Sequence, residues 1–205
     1  GGPVAEGTQR IEAFSDGVLA IIITIMVLDL KVPHAVELAA LKPLLPVFLS
    51  YVLSFIYLGI YWNNHHHMLQ ATRRVNGRVL WANLHLLFWL SLVPFVTGWM
   101  GENHFAPLPT AVYGAVMLFS GAAYKILQMS ILYHDRGENE LLAKAIGSDL
   151  KGNISLVIYL CAIPLSFANQ WISDLLYVAV IVVWVVPDRR IESRIDAAAD
   201  RRETD

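Results

Sequence analysis

Four residues that can hydrogen-bond or carry protons lie at the margins of strongly apolar stretches. Ser15 and Asp16 directly precede the uncharged stretch 17–28, His65 lies near the end of another, and Asn83 near the start of a third. Ionisable groups are costly in an apolar setting, so each is a candidate functional residue. A buried hydrogen-bonded cluster of these four side chains is the simplest way to satisfy the carboxylate. Placement at the headgroup level of a membrane is the alternative.

The composition places these residues in a membrane protein. Of the 205 residues, 56% are hydrophobic and only 16% are charged. Four stretches contain no Asp, Glu, Lys or Arg, namely 43–72, 79–101, 103–124 and 152–173. Each is long enough to cross the roughly 30 Å hydrocarbon core, which takes about 20 helical residues. The pattern indicates an all-α integral membrane protein and excludes a disordered chain, a disulfide scaffold and a nucleic-acid-binding domain.

The apolar stretches predict six transmembrane helices, at about 11–31, 44–68, 80–100, 108–133, 153–169 and 171–187. The last two are expected to form a tight hairpin near residues 169–173. One six-helix domain therefore covers 1–187, and 188–205 forms a charged C-terminal tail. With both termini cytoplasmic, that side holds twelve Lys and Arg residues and the other holds two, as the positive-inside rule requires. The twelve are Arg10, Arg73, Arg74, Arg78, Arg136, Lys144, Lys151, Arg189, Arg190, Arg194, Arg201 and Arg202; the two are Lys31 and Lys42.

The first predicted helix has two distinct faces. At 100° per residue, Ser15 and Asp16 point away from a stripe that runs along the opposite side. The stripe consists of Arg10, Phe14, Gly17, Ile21, Thr24, Ile25 and Leu28. One face can thus join the subunit's own bundle while the stripe is presented outward. By itself, such a stripe is more often a lipid-facing or helix-packing surface than a conduction path.

A sequence motif at the head of this helix adds a resemblance. Residues 10–16 match R-x-x-x-F-S-D, Trp62 and His65 end the second span, and Asn83-Leu84 precedes Pro94 in the third. In these features and over its full length, the chain resembles the endolysosomal potassium channel family called transmembrane protein 175, in its bacterial single-repeat form.

The resemblance implies a homotetramer in which the first helix of each subunit lines a central pore. It implies a hydrophobic constriction at Ile21, a hydroxyl near the permeating ion at Thr24 and a further apolar ring at Leu28, with Ile25 on the same face. The implied bracing residues are Arg10, Phe14, Ser15, Asp16, Trp62, His65 and Asn83. No cofactor or fixed metal is implied beyond the permeant potassium ion near Ile21 and Thr24. The implied surroundings are membrane lipid in a bacterial inner membrane, with no nucleic acid and no soluble substrate.

This resemblance predicts a moderately potassium-selective cation channel. The sequence contains no T-V-G-Y-G-like segment, so a closed ring of Ile21 side chains is expected to block ions by dewetting, and Thr24 to assist selectivity. A proton-conducting or proton-coupled transporter that uses Asp16 and the His65 cluster is the alternative. A metalloenzyme is not expected, because the consecutive residues His65, His66 and His67 point about 100° apart and cannot all reach one metal ion.

Overall fold

The computed structural model describes residues 3–70, 72, 75–134 and 149–185, and these residues form helices joined by turns and short loops. The α-helices are α1 Pro3–Leu28, α2 Leu45–Gln70, α3 Gly77–Ser91, α4 Val93–Glu102, α5 Pro107–His134 and α6 Leu150–Val185. A short 3-10 helix, Leu38–Leu44, leads directly into α2. The predicted tail 188–205 and the predicted cytoplasmic residues Arg73, Arg74, Arg136 and Lys144 lie outside the described residues.

Five helical stretches in the described part of the chain are long and apolar enough to cross a membrane. They are Gly7–Leu28, Leu38–Gln70, Gly77–Glu102, Pro107–Tyr133 and Leu150–Val185. The first four correspond to the first four predicted spans. The predicted fifth and sixth spans both fall within Leu150–Val185, so the conformation of that stretch determines how many times the chain crosses.

The stretch Gly77–Glu102 is interrupted at Leu92, where α3 ends and α4 begins. Pro94 lies in the first turn of α4 and has no amide hydrogen, so it cannot donate to the carbonyl of Leu90. The Leu92 amide donates to the carbonyl of Trp89, three residues earlier, at 3.2 Å. The α-helical pattern, in which each amide donates to the carbonyl four residues earlier, resumes at Val96, which donates to Leu92 at 3.2 Å. The helix therefore changes register at the position where the sequence contains its proline.

The chain reverses direction within α6. Asn169 has an extended conformation, with φ −161° and ψ 104°, inside an otherwise helical stretch. Trp184 donates from Nε1 to Ser155 Oγ at 2.9 Å, although a straight helix would separate these two residues by about 43 Å. Ser173 likewise donates to the Ala162 carbonyl at 2.7 Å. The two halves of α6 thus pack antiparallel, with the turn at Asn169.

Contacts between helices distinguish two ends of the bundle. We call the end that holds the start of α1, the end of α2 and the start of α3 the inner end, after the orientation expected from the sequence, and the end that holds the end of α1 and the end of α4 the outer end. At the outer end, Lys31 in the loop after α1 forms an ion pair with Glu102 at 2.9 Å. The hydrogen bond to Glu102 and its negative charge raise the pKa of Lys31 above its ordinary value. Both groups are exposed, so the pair contributes little to stability.

Buried hydroxyl groups join three helices in the core. Ser54 of α2 lies 2.6 Å from the Thr97 hydroxyl of α4 and 3.1 Å from the Tyr113 hydroxyl of α5. All three residues are buried. Apolar packing gives helices little preference for one another over lipid, so such hydrogen bonds help to specify which helices associate.

Candidate pore-lining helix and its polar anchor

The helix α1 has one buried face and one exposed face. The buried face consists of residues spaced three or four apart, namely Ile11, Ser15, Leu19, Ile22 and Met26. The exposed face consists of Arg10, Phe14, Gly17, Ile21, Thr24, Ile25 and Leu28. Ile21 is 59% exposed and Leu28 is 80% exposed, whereas Ile22 and Met26 on the other face are almost fully buried. The exposed face is the stripe that the sequence predicts.

A chain of hydrogen bonds fastens the buried face of α1 to α2 and α3. Ser15 donates to the Ile11 carbonyl at 2.8 Å, and Asn83 donates from Nδ2 to Ser15 Oγ at 2.9 Å. The Asn83 Oδ1 atom lies 2.7 Å from His65 Nε2. Ser15, Asn83 and His65 are fully buried. The structure therefore brings together three of the four residues in the cluster predicted from the sequence.

The hydrogen bond from Ser15 to Ile11 fixes the direction of the other two hydrogen bonds in this network. Because the Ser15 hydroxyl hydrogen is directed at a carbonyl, Ser15 Oγ can only accept, so the amide nitrogen of Asn83 must face it. The amide oxygen then faces His65, and Nε2 of the imidazole is the donor. A His65 ring with hydrogen on Nε2 therefore completes the hydrogen bonds from Asn83 to Ser15, while its Nδ1 atom is buried without a partner among the described residues.

Asp16 has a different partner from the one predicted. The sequence analysis places its carboxylate in the cluster with Ser15, His65 and Asn83, but the structure pairs it with Trp62, which donates from Nε1 to Asp16 Oδ1 at 3.0 Å. That prediction is wrong because Asp16 is rotated about 100° from Ser15 around α1. Its side chain consequently reaches the half-exposed Trp62 on α2, while Ser15 reaches Asn83 on α3.

A second contact between α1 and α2 lies one helical turn from the first. Nδ1 of His66 is 2.7 Å from Oε1 of Glu12, and the His66 ring stacks on Trp62 with centroids 5.9 Å apart. The sequence analysis missed this contact. The sequence does contain a pattern that predicts this contact, because each helix carries two of the residues four positions apart and therefore on one face. These pairs are Glu12 and Asp16 on α1, and Trp62 and His66 on α2.

The exposed face of α1 carries one hydroxyl group that can bind a cation. Thr24 donates from Oγ1 to the Ile21 carbonyl at 2.9 Å. Its hydrogen is therefore engaged within the helix, and the oxygen presents its lone pairs to whatever lies against the exposed face. Within the described residues, no group of three or more His, Cys, Asp and Glu side chains is placed to hold a metal ion.

The fold and these contacts define a class: a helical membrane protein whose first helix is fastened on one face and uncovered on the other. The family model of the endosomal/lysosomal potassium channel TMEM175 matches residues 10–94. This region contains α1 from Arg10 onward, the anchor of Ser15, Asn83 and His65 that joins it to α2 and α3, and the proline of α4.

Proteins with similar sequences establish the family to which this chain belongs. The chain is 53% identical to a potassium channel of Chryseobacterium sp. (strain P1-3), over 91% of this chain and 96% of that protein. It is 33% identical to a potassium channel of Chamaesiphon minutus, over 83% of this chain and 90% of that protein. The chain therefore belongs to the TMEM175 family.

A solved structure and a vertebrate relative complete the comparison. The crystal structure of a lysosomal potassium-selective channel TMEM175 homolog from Chamaesiphon minutus superposes with a TM-score of 0.77 at 28% identity, covering 88% of this chain and 97% of that one. The endosomal/lysosomal proton channel TMEM175 of the rat is 27% identical, but the matched region covers only 36% of that longer protein.

Proposed function

We propose that four copies of this chain form a potassium channel in a bacterial inner membrane, with α1 of each subunit lining the central pore. The observation that carries the proposal is the exposed stripe on α1, because it is continuous from Arg10 to Leu28 while the opposite face is fastened to α2 and α3. Its relatives named potassium channels and its potassium-selective structural neighbour support the same function.

The proposed subunit crosses the membrane six times and keeps both termini in the cytoplasm. The reversal at Asn169 supports this count, since it divides α6 into two antiparallel halves. An even number of crossings places both termini on one side. The charge bias of the sequence, twelve Lys and Arg residues against two, supports the cytoplasm as that side.

In the proposed pore, four Ile21 side chains form a constriction that blocks ions when closed. Isoleucine offers no ligand to replace the water around an ion, so a narrow ring of these side chains excludes hydrated ions by dewetting. Potassium sheds water more readily than sodium, which gives a moderate preference when the ring widens. Four Thr24 oxygens, each with its hydrogen engaged by Ile21, lie one turn outward and can contact the partly dehydrated ion.

The anchor beside the pore helix is better suited to bracing than to carrying protons. A relay must pass a proton out at each end, but the chain from His65 through Asn83 ends at Ser15, whose hydrogen is directed at the Ile11 carbonyl. A backbone carbonyl has no proton to pass on. The geometry thus favours potassium conduction along the exposed face over proton transfer through the buried face.

Ion flux through purified protein in liposomes tests this function. Under opposed potassium and proton gradients, we expect a current that reverses near the potassium equilibrium potential. Reversal that follows the proton gradient would instead support the proton-conducting alternative. Absence of current under both gradients would contradict both forms of transport.

The Thr24→Val variant tests the proposed selectivity in the same assay. Valine keeps the shape of threonine and removes the hydroxyl, so we expect the potassium-to-sodium permeability ratio to fall several-fold, within the tenfold that about 1.4 kcal/mol produces. Thr24→Ser, which keeps the hydroxyl, should retain most of the native ratio. An unchanged ratio in Thr24→Val would remove this side chain from the selectivity mechanism.

A further inference from the structure

A second ionisable group lies far along the chain from the α1 anchor, in the second half of α6. Asp174 is about one helical turn past the Asn169 reversal, near the outer end of the bundle. It shares a helix face with the buried residues Tyr177 and Ile181, so its side chain is directed into the subunit. Both carboxyl oxygens are buried, and neither has a hydrogen-bond partner among the described residues.

A second buried group without a partner lies on the neighbouring helix. Thr110 of α5 is fully buried, and its Oγ1 atom has no hydrogen-bond partner in the described part of the chain. The Tyr177 hydroxyl, one turn inward from Asp174, donates to the Thr110 carbonyl at 2.9 Å. This hydrogen bond fixes the start of α5 against the second half of α6, one helical turn from Asp174.

The groups around Asp174 carry no charge that could balance a carboxylate. Tyr177 lies one turn along the same face, and the titratable groups packed around it are phenols, which are neutral at neutral pH. They are Tyr113 from α5, Tyr57 from α2 and Tyr159 from the first half of α6. No positively charged group among the described residues offsets the burial of the Asp174 carboxyl.

We propose that Asp174 and Thr110 form a proton-binding site at the outer end of the bundle, separate from the α1 pore face, with a water molecule joining them. A buried carboxylate without a partner is so unfavourable that the group takes up a proton instead. The neutral acid can then donate to a water molecule, which in turn donates to Thr110 Oγ1.

A metal ion or permeant cation fits this site less well than a proton. A hard cation needs about six oxygen ligands. The Tyr177 hydroxyl already donates to Thr110, and the Tyr57 hydroxyl donates to the Tyr177 carbonyl at 2.5 Å. The carboxyl group of Asp174 and the hydroxyl of Thr110 therefore supply too few free oxygens to surround such an ion.

Infrared spectroscopy of the full chain in lipid vesicles tests the proposal without relying on ion conduction. We expect the native protein at neutral pH to show the C=O stretching band of a protonated carboxyl, and Asp174→Asn to lose it. Asp29→Asn is the matched control: Asp29 is an exposed carboxyl at the outer end of α1, and its replacement should leave the band in place. Thr110→Val should keep the band but shift its frequency, because the bridging water loses one partner.

Two results would overturn the proposal. One is a native protein without a protonated-carboxyl band at neutral pH; the other is an Asp174→Asn variant whose band is unchanged while its circular dichroism and elution volume match the native protein. If Asp174→Asn does not fold, native protein labelled with ¹³C in its aspartate carboxyls replaces it. The band must then shift to lower frequency on labelling, and a band that does not shift contradicts the assignment to an aspartate.

Discussion

At the residue scale, the fixed direction of the hydrogen bonds from His65 to Ser15 explains how a polar cluster can be stable inside an apolar bundle. Each donor in the chain faces one acceptor, and the terminal hydrogen is directed at the carbonyl of Ile11. Asn83 occupies the central position, because its amide donates to Ser15 of α1 and accepts from His65 of α2. The cluster depends on both functions of this one side chain.

Replacing Asn83 should therefore destabilise the protein more than replacing an exposed asparagine. Asn83→Ala leaves the His65 donor and the Ser15 oxygen buried without partners, which is expected to cost about 2–4 kcal/mol. Asn63→Ala removes an exposed amide from the neighbouring helix α2 and should change the free energy of unfolding by less than about 0.5 kcal/mol. Denaturant unfolding of the purified variants in detergent measures both. Equal losses of stability in the two variants would show that the buried network has no special role.

The residues of the anchor were predictable from the sequence, but their pairing was only partly so. Ser15, His65 and Asn83 stand out as polar groups at the same depth of three predicted helices, and they do meet. The partner of Asp16 depends on a rotation of about 100° between adjacent residues of α1, which decides between α2 and α3. Asp174 could not be singled out in this way, because nothing in the sequence shows that its carboxyl lacks a partner.

At the element scale, the helices of the outer end pack closely enough to require glycine at one position. A Cβ atom on Gly101 of α4 would lie 2.7 Å from the Val47 Cα atom of α2 and would also meet the Ser50 side chain. The Val47 atom belongs to the backbone and cannot move aside without displacing the helix. Gly98, one turn earlier on α4, faces only Asp29, whose Oδ2 atom would lie 3.5 Å from an added Cβ.

These two glycines form a matched pair for substitution. Gly101→Ala forces α2 and α4 apart and should destabilise the protein by about 1–3 kcal/mol. Gly98→Ala makes an ordinary contact and removes the entropic cost of glycine in a helix, so it should be neutral or stabilising by up to about 1 kcal/mol. Thermal unfolding of both variants under the same conditions gives the comparison. A Gly101→Ala variant as stable as Gly98→Ala would disprove the close packing of α2 on α4.

Helix faces were more predictable than helix interruptions. The exposed stripe of α1 follows from a 100° rotation per residue, and the structure exposes every one of its members. The reversal near Asn169 could be expected, because the apolar stretch 152–187 is too long for one crossing. The helix interruption at Leu92 and the 3-10 helix before α2 depend on local hydrogen bonds that Pro94 and Pro43 change. The extent of these two features could not be deduced from residue types alone.

At the scale of the whole molecule, a single subunit leaves the apolar part of the α1 stripe uncovered. Ile21, Ile25 and Leu28 are each close to half exposed or more, while residues on the opposite face of α1, such as Ile22 and Met26, are almost fully buried. A lone subunit would place this face against lipid. In the proposed tetramer it turns toward the central axis, where the same apolar side chains act as the barrier to ions. The assembly thus gives a function to a surface that the fold of one subunit leaves unused.

The most direct test of this account is chemical modification of α1 during potassium flux. Cysteine is introduced at Leu28 or, as the control, at Met26, on a background in which the chain's single cysteine is removed by Cys161→Ser. Leu28 is 80% exposed on the proposed pore face at its outer mouth, whereas Met26 is buried against the subunit core. We expect a bulky, positively charged thiol reagent to block potassium flux through the Leu28→Cys channel and to leave the Met26→Cys channel conducting. Continued flux through Leu28→Cys after complete labelling, or block of Met26→Cys alone, would contradict a pore lined by this face of α1.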